Sequence, residues 1–334
     1  MDVLELPRID DLHVHLRQGE LMRQVAPLSR AGGAGRVLAM PNLRPPLDCA
    51  AAVSAYRTEL IAAEPALDYL MTLYAHPGLD GAELERARAA GVVAVKWYPQ
   101  GVTTNSDAAA ALEACYPVFA AAEELGIVLS LHGEMPDDPA RGIDRANAEQ
   151  AFLPRLEALH RRFPQLRIIC EHATSREALD LVRGLGETVA CTITAHHLEL
   201  TAADWQQDPH AYCKPVAKSA ADREALCAAA ISGHPRIFFG SDSAPHPAAA
   251  KAGVHPAAGV FTAPVLASLL ATRFDALGAL PRLRDFTCVH GAAFYGLPPA
   301  SGTLRLRRQP WTVPAAYGGV VPFAAGRQLA WRCG

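Results

Sequence analysis

Lysine is scarce in this chain: four residues, at 96, 214, 218 and 251, among 31 basic side chains. Where arginine has replaced most lysines, each survivor gains interest as a functional candidate. Charge of a single sign is missing too. The formal net charge is -3 and the sequence pI about 6.5, which argues against a nucleic-acid surface or an anionic-membrane partner. No apolar run reaches the ~18 residues that a membrane-spanning helix needs. The start, Met1-Asp2-Val3-Leu4-Glu5, carries an acid early and lacks the basic-then-apolar order of a secretory leader. Cysteine is present eight times, yet no CxxC pair occurs, and Cys170 and Cys191 sit inside apolar runs. That usage suits a reducing cytosol, with cysteine serving as a small hydrophobe, so a cytoplasmic location is expected.

What the chain has is alternation. Short apolar runs at 9–14, 36–40, 68–74, 92–97, 127–132, 166–171, 189–194 and 236–240 are separated by Ala-, Leu-, Glu- and Arg-rich stretches such as 49–63, 82–90, 107–125, 146–162 and 176–184. Several of the runs are continuously apolar, as strands covered on both faces should be. The intervening stretches have high helix propensity and keep glycine near their ends. Eight strands alternating with helices predict an α/β (β/α)8 barrel of the TIM type, and 334 residues fit one such domain. An open doubly wound sheet is the alternative that periodicity leaves standing. Residues 301–334 differ in texture and predict a short extended tail or hairpin packed on the barrel, within a single domain spanning 1–334.

In such barrels the functional groups sit at the C-terminal ends of strands, and five of the eight predicted strands end in a group able to bind metal. The first ends in His13-Val14-His15, whose two imidazoles, two residues apart on a strand, face the same way. The fourth runs straight into Lys96, a costly residue for the inner end of an apolar strand unless paired, modified or snorkelling to water. The fifth ends in His132-Gly133-Glu134 and the sixth in Glu171-His172. The eighth opens through Gly240 to Asp242, which could equally be a helix N-cap. Together His13, His15, Lys96, His132, His172 and Asp242 predict a metal site. Nitrogen and carboxylate ligands without thiolate suit Zn2+, and also Mn2+ or Co2+. Four histidines and an aspartate exceed what one catalytic zinc requires, so two metals are expected.

With these residues in place the chain resembles the amidohydrolase superfamily and, within it, the dihydroorotases of the type II bacterial class. The matching pieces include Asp11-Leu12-His13-Val14-His15-Leu16-Arg17, Met40-Pro41-Asn42-Leu43, Val95-Lys96-Trp97-Tyr98-Pro99, Leu131-His132-Gly133-Glu134 and Glu171-His172-Ala173-Thr174. They continue with Tyr212-Cys213-Lys214-Pro215, Gly240-Ser241-Asp242-Ser243-Ala244-Pro245-His246 and Phe294-Tyr295-Gly296-Leu297. The resemblance implies two Zn2+ ions bridged by a carboxylated Lys96 (N6-carboxylysine) and a hydroxide. His13, His15 and Asp242 would hold one zinc, and His132 and His172 the other. It also implies that Arg17, Asn42 and His246 grip a substrate carboxylate, that main-chain groups near Lys214 and Ala263 meet the pyrimidine ring, and that Thr103 and Thr104 close over it.

The activity so implied is reversible ring opening of dihydroorotate to N-carbamoyl-L-aspartate, a step in pyrimidine biosynthesis, with Asp242 shuttling the proton from hydroxide to the departing nitrogen. A homodimer and a small-molecule substrate follow from the same resemblance. Two departures stand out: Lys214 replaces a leucine, and 247–261 lacks a cysteine-rich insertion and is expected to shape the rim without adding ligands. Dihydropyrimidinase, hydantoinase and allantoinase activities are the rivals. Their substrates lack the ring carboxylate that Arg17, Asn42 and His246 would meet. A non-catalytic homologue serving as a structural partner is the other class of answer; such proteins lose ligands, and here every ligand position is filled.

Overall fold

The computed structural model describes residues 2–334. Eight parallel strands lie side by side in chain order: β2 (Ile9–Val14), β3 (Ala34–Ala39), β4 (Asp68–Tyr74), β5 (Val92–Trp97), β6 (Val128–Leu131), β7 (Ile168–Cys170), β8 (Val189–Ile193) and β9 (Ile237–Phe239). Helices connect them, and the expected (β/α)8 barrel is the observed one. The ring closes between β9 and β2 by few contacts. Asp242 N donates to His13 O (2.8 Å), His15 N donates to Ser243 O (3.0 Å), and a single parallel bridge joins Val14 and Ser243.

Because successive side chains on a strand alternate in direction, each strand contributes to two cores. One set packs inside the barrel: Leu12, Leu38, Leu70, Ala94, Val128, Ile169, Ala190 and Phe238. The other, including Val37, Met71, Val95, Leu129, Ile168 and Cys191, packs against the helices. Two residues beyond the inner set on five of these strands come Thr72, Lys96, Ser130, Glu171 and Thr192, all buried. The interior thus turns from apolar to polar one step before the C-terminal mouth. At the opposite end Asp10 and Arg36 form a buried ion pair, Arg36 Nη2 lying 2.8 Å from Asp10 Oδ2.

Three differences from the sequence reading concern extent. The last four barrel strands, β6 to β9, are shorter than their apolar runs, whereas β2, β4 and β5 match theirs and β3 begins two residues earlier. The helix expected over 107–125 begins only with a short 3-10 turn at Glu113–Cys115 and the helix Tyr116–Leu125. Pro117 occupies its first turn, where a missing N–H costs nothing. Residues 107–112 fold as loop, burying Ala109 and Leu112. The third is a small antiparallel sheet in which β1 (Val3–Pro7) pairs with β10 (Thr303–Thr312), and β10 with β11 (Gln328–Cys333). The hairpin texture near the end was visible in the sequence; the N-terminal strand that completes it was not. Among the described residues no helix is long and apolar enough to cross a membrane, and all eight cysteines are free thiols.

Candidate metal centre and ligand cavity

The expected ligands converge at the C-terminal mouth. His15 Nε2 lies 3.0 Å and His13 Nε2 3.4 Å from Asp242 Oδ1, and one ligand atom from each of the three falls within 4.8 Å of the others. His172 packs between both neighbours, tilted against the His13 ring at 5.1 Å and edge-on to that of His132 at 4.7 Å. Gly240 permits this approach. A Cβ there would stand 2.9 Å from the His13 Cβ and 3.1 Å from Thr192 Cγ2. Arg17, His172 and Asp242 all have positive φ (63°, 44° and 46°), a strained backbone that typically marks functional sites.

Beneath this set Lys96 is 0% exposed, and its Nζ has no hydrogen-bond partner. Burial pushes its pKa down to about 8, against the pull of Glu171 and Asp242. Burial likewise keeps the imidazoles neutral: His15 falls to about 4, and His132 and His172 are lowered too. Asp242 behaves oppositely. Burial alone would raise it, but above all the hydrogen bond with His15 holds it well below the usual carboxylate range. The result is an ionised carboxylate facing neutral nitrogen ligands, the protonation state that metal binding requires.

A cavity of about 20 Å³, roughly one water molecule in size, opens above them. Its lining contains His13, His15, His132, His172, Asp242, Arg17, Asn42, Thr103, Thr104 and Lys214 among the residues expected from sequence, and adds Tyr98, Ala244, Ala258 and Gly259. Asn42 Nδ2 donates to Thr104 O (2.9 Å), and Asn105 Nδ2 to Asn42 O (2.8 Å), so the threonine loop is drawn over the mouth. Arg17 donates through Nε to Pro245 O and through Nη2 to His246 Nε2, both at 3.0 Å. Burial and the adjacent Arg17 push His246 down to about 3, leaving it a neutral acceptor. His246 stands behind Arg17 and does not line the cavity. Ala263 does not line it either: it is buried, and its N–H donates to Ser243 Oγ (3.0 Å).

Sequence reasoning missed the carboxylates that hold these ligands. Glu171 Oε2 lies 3.0 Å from His13 Nδ1, although the N–H points off the line between them. Glu171 also accepts from Ser130 Oγ (2.5 Å) and Thr192 Oγ1 (2.7 Å). Glu134 Oε2 is 2.6 Å from His132 Nε2. Asp11 accepts from Ser241 N and Oγ, pinning the turn that presents Asp242. An acid within two residues of His13, His132 and His172 was the available signal; His15 has none. A second histidine group, His196, His197 and Cys213, also has ligand atoms within 4.8 Å of one another. There, however, His197 is engaged by Thr194 Oγ1 (2.9 Å) and Pro215 O (3.2 Å), and Cys213 Sγ by Pro215 O (3.4 Å).

Comparison with known proteins agrees with this architecture. The amidohydrolase family model matches residues 75–267. A probable dihydroorotase of Schizosaccharomyces pombe is 44% identical over 334 residues, covering 99% of this chain and 98% of that protein. A dihydroorotase of Halorhodospira halophila is 46% identical, with 99% of each chain covered. The crystal structure of Saccharomyces cerevisiae dihydroorotase in complex with 5-fluoroorotic acid superposes with a TM-score of 0.96 at 37% identity, covering 100% of this chain and 99% of the other. The fold and mouth define an amidohydrolase. Within that class the chain belongs to the dihydroorotase family, as the motif resemblance implied.

Proposed function

We propose that the chain is a zinc-dependent dihydroorotase that interconverts dihydroorotate and N-carbamoyl-L-aspartate. The observation that carries this is the convergence of four histidines and an ionised aspartate over a wholly buried, unpartnered lysine, with Arg17 and Asn42 at the edge of the same cavity. An unpaired amine in that position is costly, and addition of CO2 to Nζ would turn it into an anionic oxygen ligand. The donor set fits two zinc ions: His13, His15 and Asp242 for one, His132 and His172 for the other, carboxylated Lys96 between them. Bound there, the metal pair would supply an activated water near neutral pH and a polarised ring carbonyl.

The chain's own residues do the rest. Asp242, kept ionised by its neighbours, accepts the proton of the attacking water and returns it to the departing ring nitrogen. Arg17 offers a planar fork to the substrate carboxylate, and Asn42 adds a donor. His246, as an acceptor for Arg17 Nη2, holds that fork in place. Thr103 and Thr104 close over the bound ring, and Lys214 borders it. The carboxylate grip favours dihydroorotate over the neutral rings of dihydropyrimidinase or hydantoinase substrates. We further assign the chain a single domain, a cytoplasmic location and a homodimeric state by analogy with the family. A spectrophotometric ring-opening assay with dihydroorotate, dihydrouracil and hydantoin, with zinc measured on the same sample, tests the reading. Turnover confined to dihydroorotate with about two zinc ions per chain is expected; a metal-free protein that added Zn2+ does not activate would overturn it.

A further inference from the structure

Part of the cavity rim comes from a segment without helix or strand, residues 252–259, that follows the short helix Ala248–Lys251. Its tip is open to solvent, Val254 being 91% exposed. Its base is held by one buried side chain. Lys251 is 3% exposed, and its Nζ donates to Tyr212 O (2.9 Å), Ala257 O (2.9 Å) and Gly259 O (2.7 Å). An ammonium has three donors, and all three are engaged by main-chain carbonyls. Among the described residues no carboxylate pairs with it; Asp208 and the Cys213 thiol act only from a distance. Three carbonyl dipoles aimed at one point repel one another without a cation between them.

The two stretches drawn together both reach the cavity. Tyr212 leads through Cys213 to Lys214, which lines it, and Tyr212 O also accepts from Gly259 N (3.0 Å). Ala258 and Gly259 line it too, and Ala258 O lies 3.0 Å from His246 Nε2; with that nitrogen accepting from Arg17 Nη2 it has no proton for Ala258 O, so the rim meets His246 by packing and not by a hydrogen bond. Contact there is close. Gly259 has φ +150°, and a Cβ on it would stand 2.6 Å from Ala244 O and 3.0 Å from His246 Cδ2.

We propose that Lys251 is a positioning residue for the carboxylate subsite: by gathering three carbonyls it fixes the rim against His246, and so sets where Arg17 points before ligand arrives. Preorganisation of this kind acts on ligand affinity and leaves the chemical step alone. The inference rests on the reading of Arg17 and His246 as carboxylate-binding groups.

The test compares wild type with K251M in three measurements: Kd for 5-fluoroorotic acid by calorimetry, KM and kcat for dihydroorotate, and zinc content. The expected result is Kd and KM each raised about tenfold, kcat within about twofold and zinc unchanged. Equal Kd and KM in a folded K251M, or a loss confined to kcat, overturns the assignment of Lys251 alone. A wild type that neither binds the probe nor opens dihydroorotate overturns the functional reading and this inference with it. Should K251M lose its cooperative melt, G259A decides. Pressing the same rim on Ala244 and His246, it should raise KM at least fivefold with kcat kept, and an unchanged KM there overturns the proposal.

Discussion

Removing the carboxylate of Glu171 tests whether metal affinity is set by groups behind the ligands. Its Oε2 contacts His13 Nδ1 at 3.0 Å, which assigns the proton to Nδ1 and leaves the Nε2 lone pair for the ion. The pair is an ion-to-imidazole contact and not an aligned hydrogen bond, so its loss should fall at the low end of the about 10- to 100-fold in metal affinity that such outer carboxylates contribute. E171A also leaves Ser130 Oγ and Thr192 Oγ1 without an acceptor, but both hydroxyls can rotate, and Thr192 Oγ1 already accepts from His172 N (2.7 Å). E171A should therefore bind zinc roughly 10- to 30-fold more weakly, measured by competition with a chromogenic chelator. E171Q should lose only about threefold, because its amide oxygen can face His13 and Thr192 while its NH2 donates to Ser130. If E171A held zinc within twofold of wild type, the ligand-orienting role would be refuted.

Four shorter predictions concern other parts of the site. D242N should reduce kcat by about 10²–10⁴-fold while 5-fluoroorotic acid binding stays measurable by calorimetry; unimpaired turnover would remove its proton role. R17A should weaken that carboxylated ligand by about tenfold or more yet leave zinc content unchanged by elemental analysis. K96A should purify with little zinc, and millimolar short-chain carboxylic acids should restore part of the activity. His196 is 0% exposed, and burial lowers it from 6.5 to about 4. A histidine depressed in the folded state contributes stability above pH 6.5, lost progressively as pH falls toward 4. Urea unfolding should show wild type losing more stability than H196Q across that window, by up to about 3 kcal/mol.

Much of this was legible in one dimension. Parallel strands buried on both faces appear as unbroken apolar runs, so β2 through β9 could be located without their partners. The ligands follow because a barrel displays the ends of its strands at one mouth. What escaped is long-range pairing. Asp11 and Ser241 are 230 residues apart, β1 needs β10 from the far end of the chain, and nothing local distinguishes Glu171 as a brace from Glu171 as a surface acid. Residues 107–112 have helical composition yet fold as loop, with Asp107 O and Ala110 O taken by the Gln100 and Trp97 side chains (3.1 and 3.0 Å). Lysine scarcity proved informative in a way periodicity could not. Lys96, Lys218 and Lys251 are all buried, against the ordinary habit of lysine, and Lys214 lines the cavity.

The thin closure between β9 and β2 carries a mechanical consequence. His13 and His15 stand on one side of that gap and Asp242 on the other, so a cation shared among them would clasp the first and last staves of the barrel. Such a cation would reinforce a seam that main-chain hydrogen bonds already close, and a chelator should loosen the cylinder along that line before the rest. The amide protons of His15 and Asp242, which bridge the gap, are its gauges: they should exchange slowly in the loaded protein and fast once the clasp is opened.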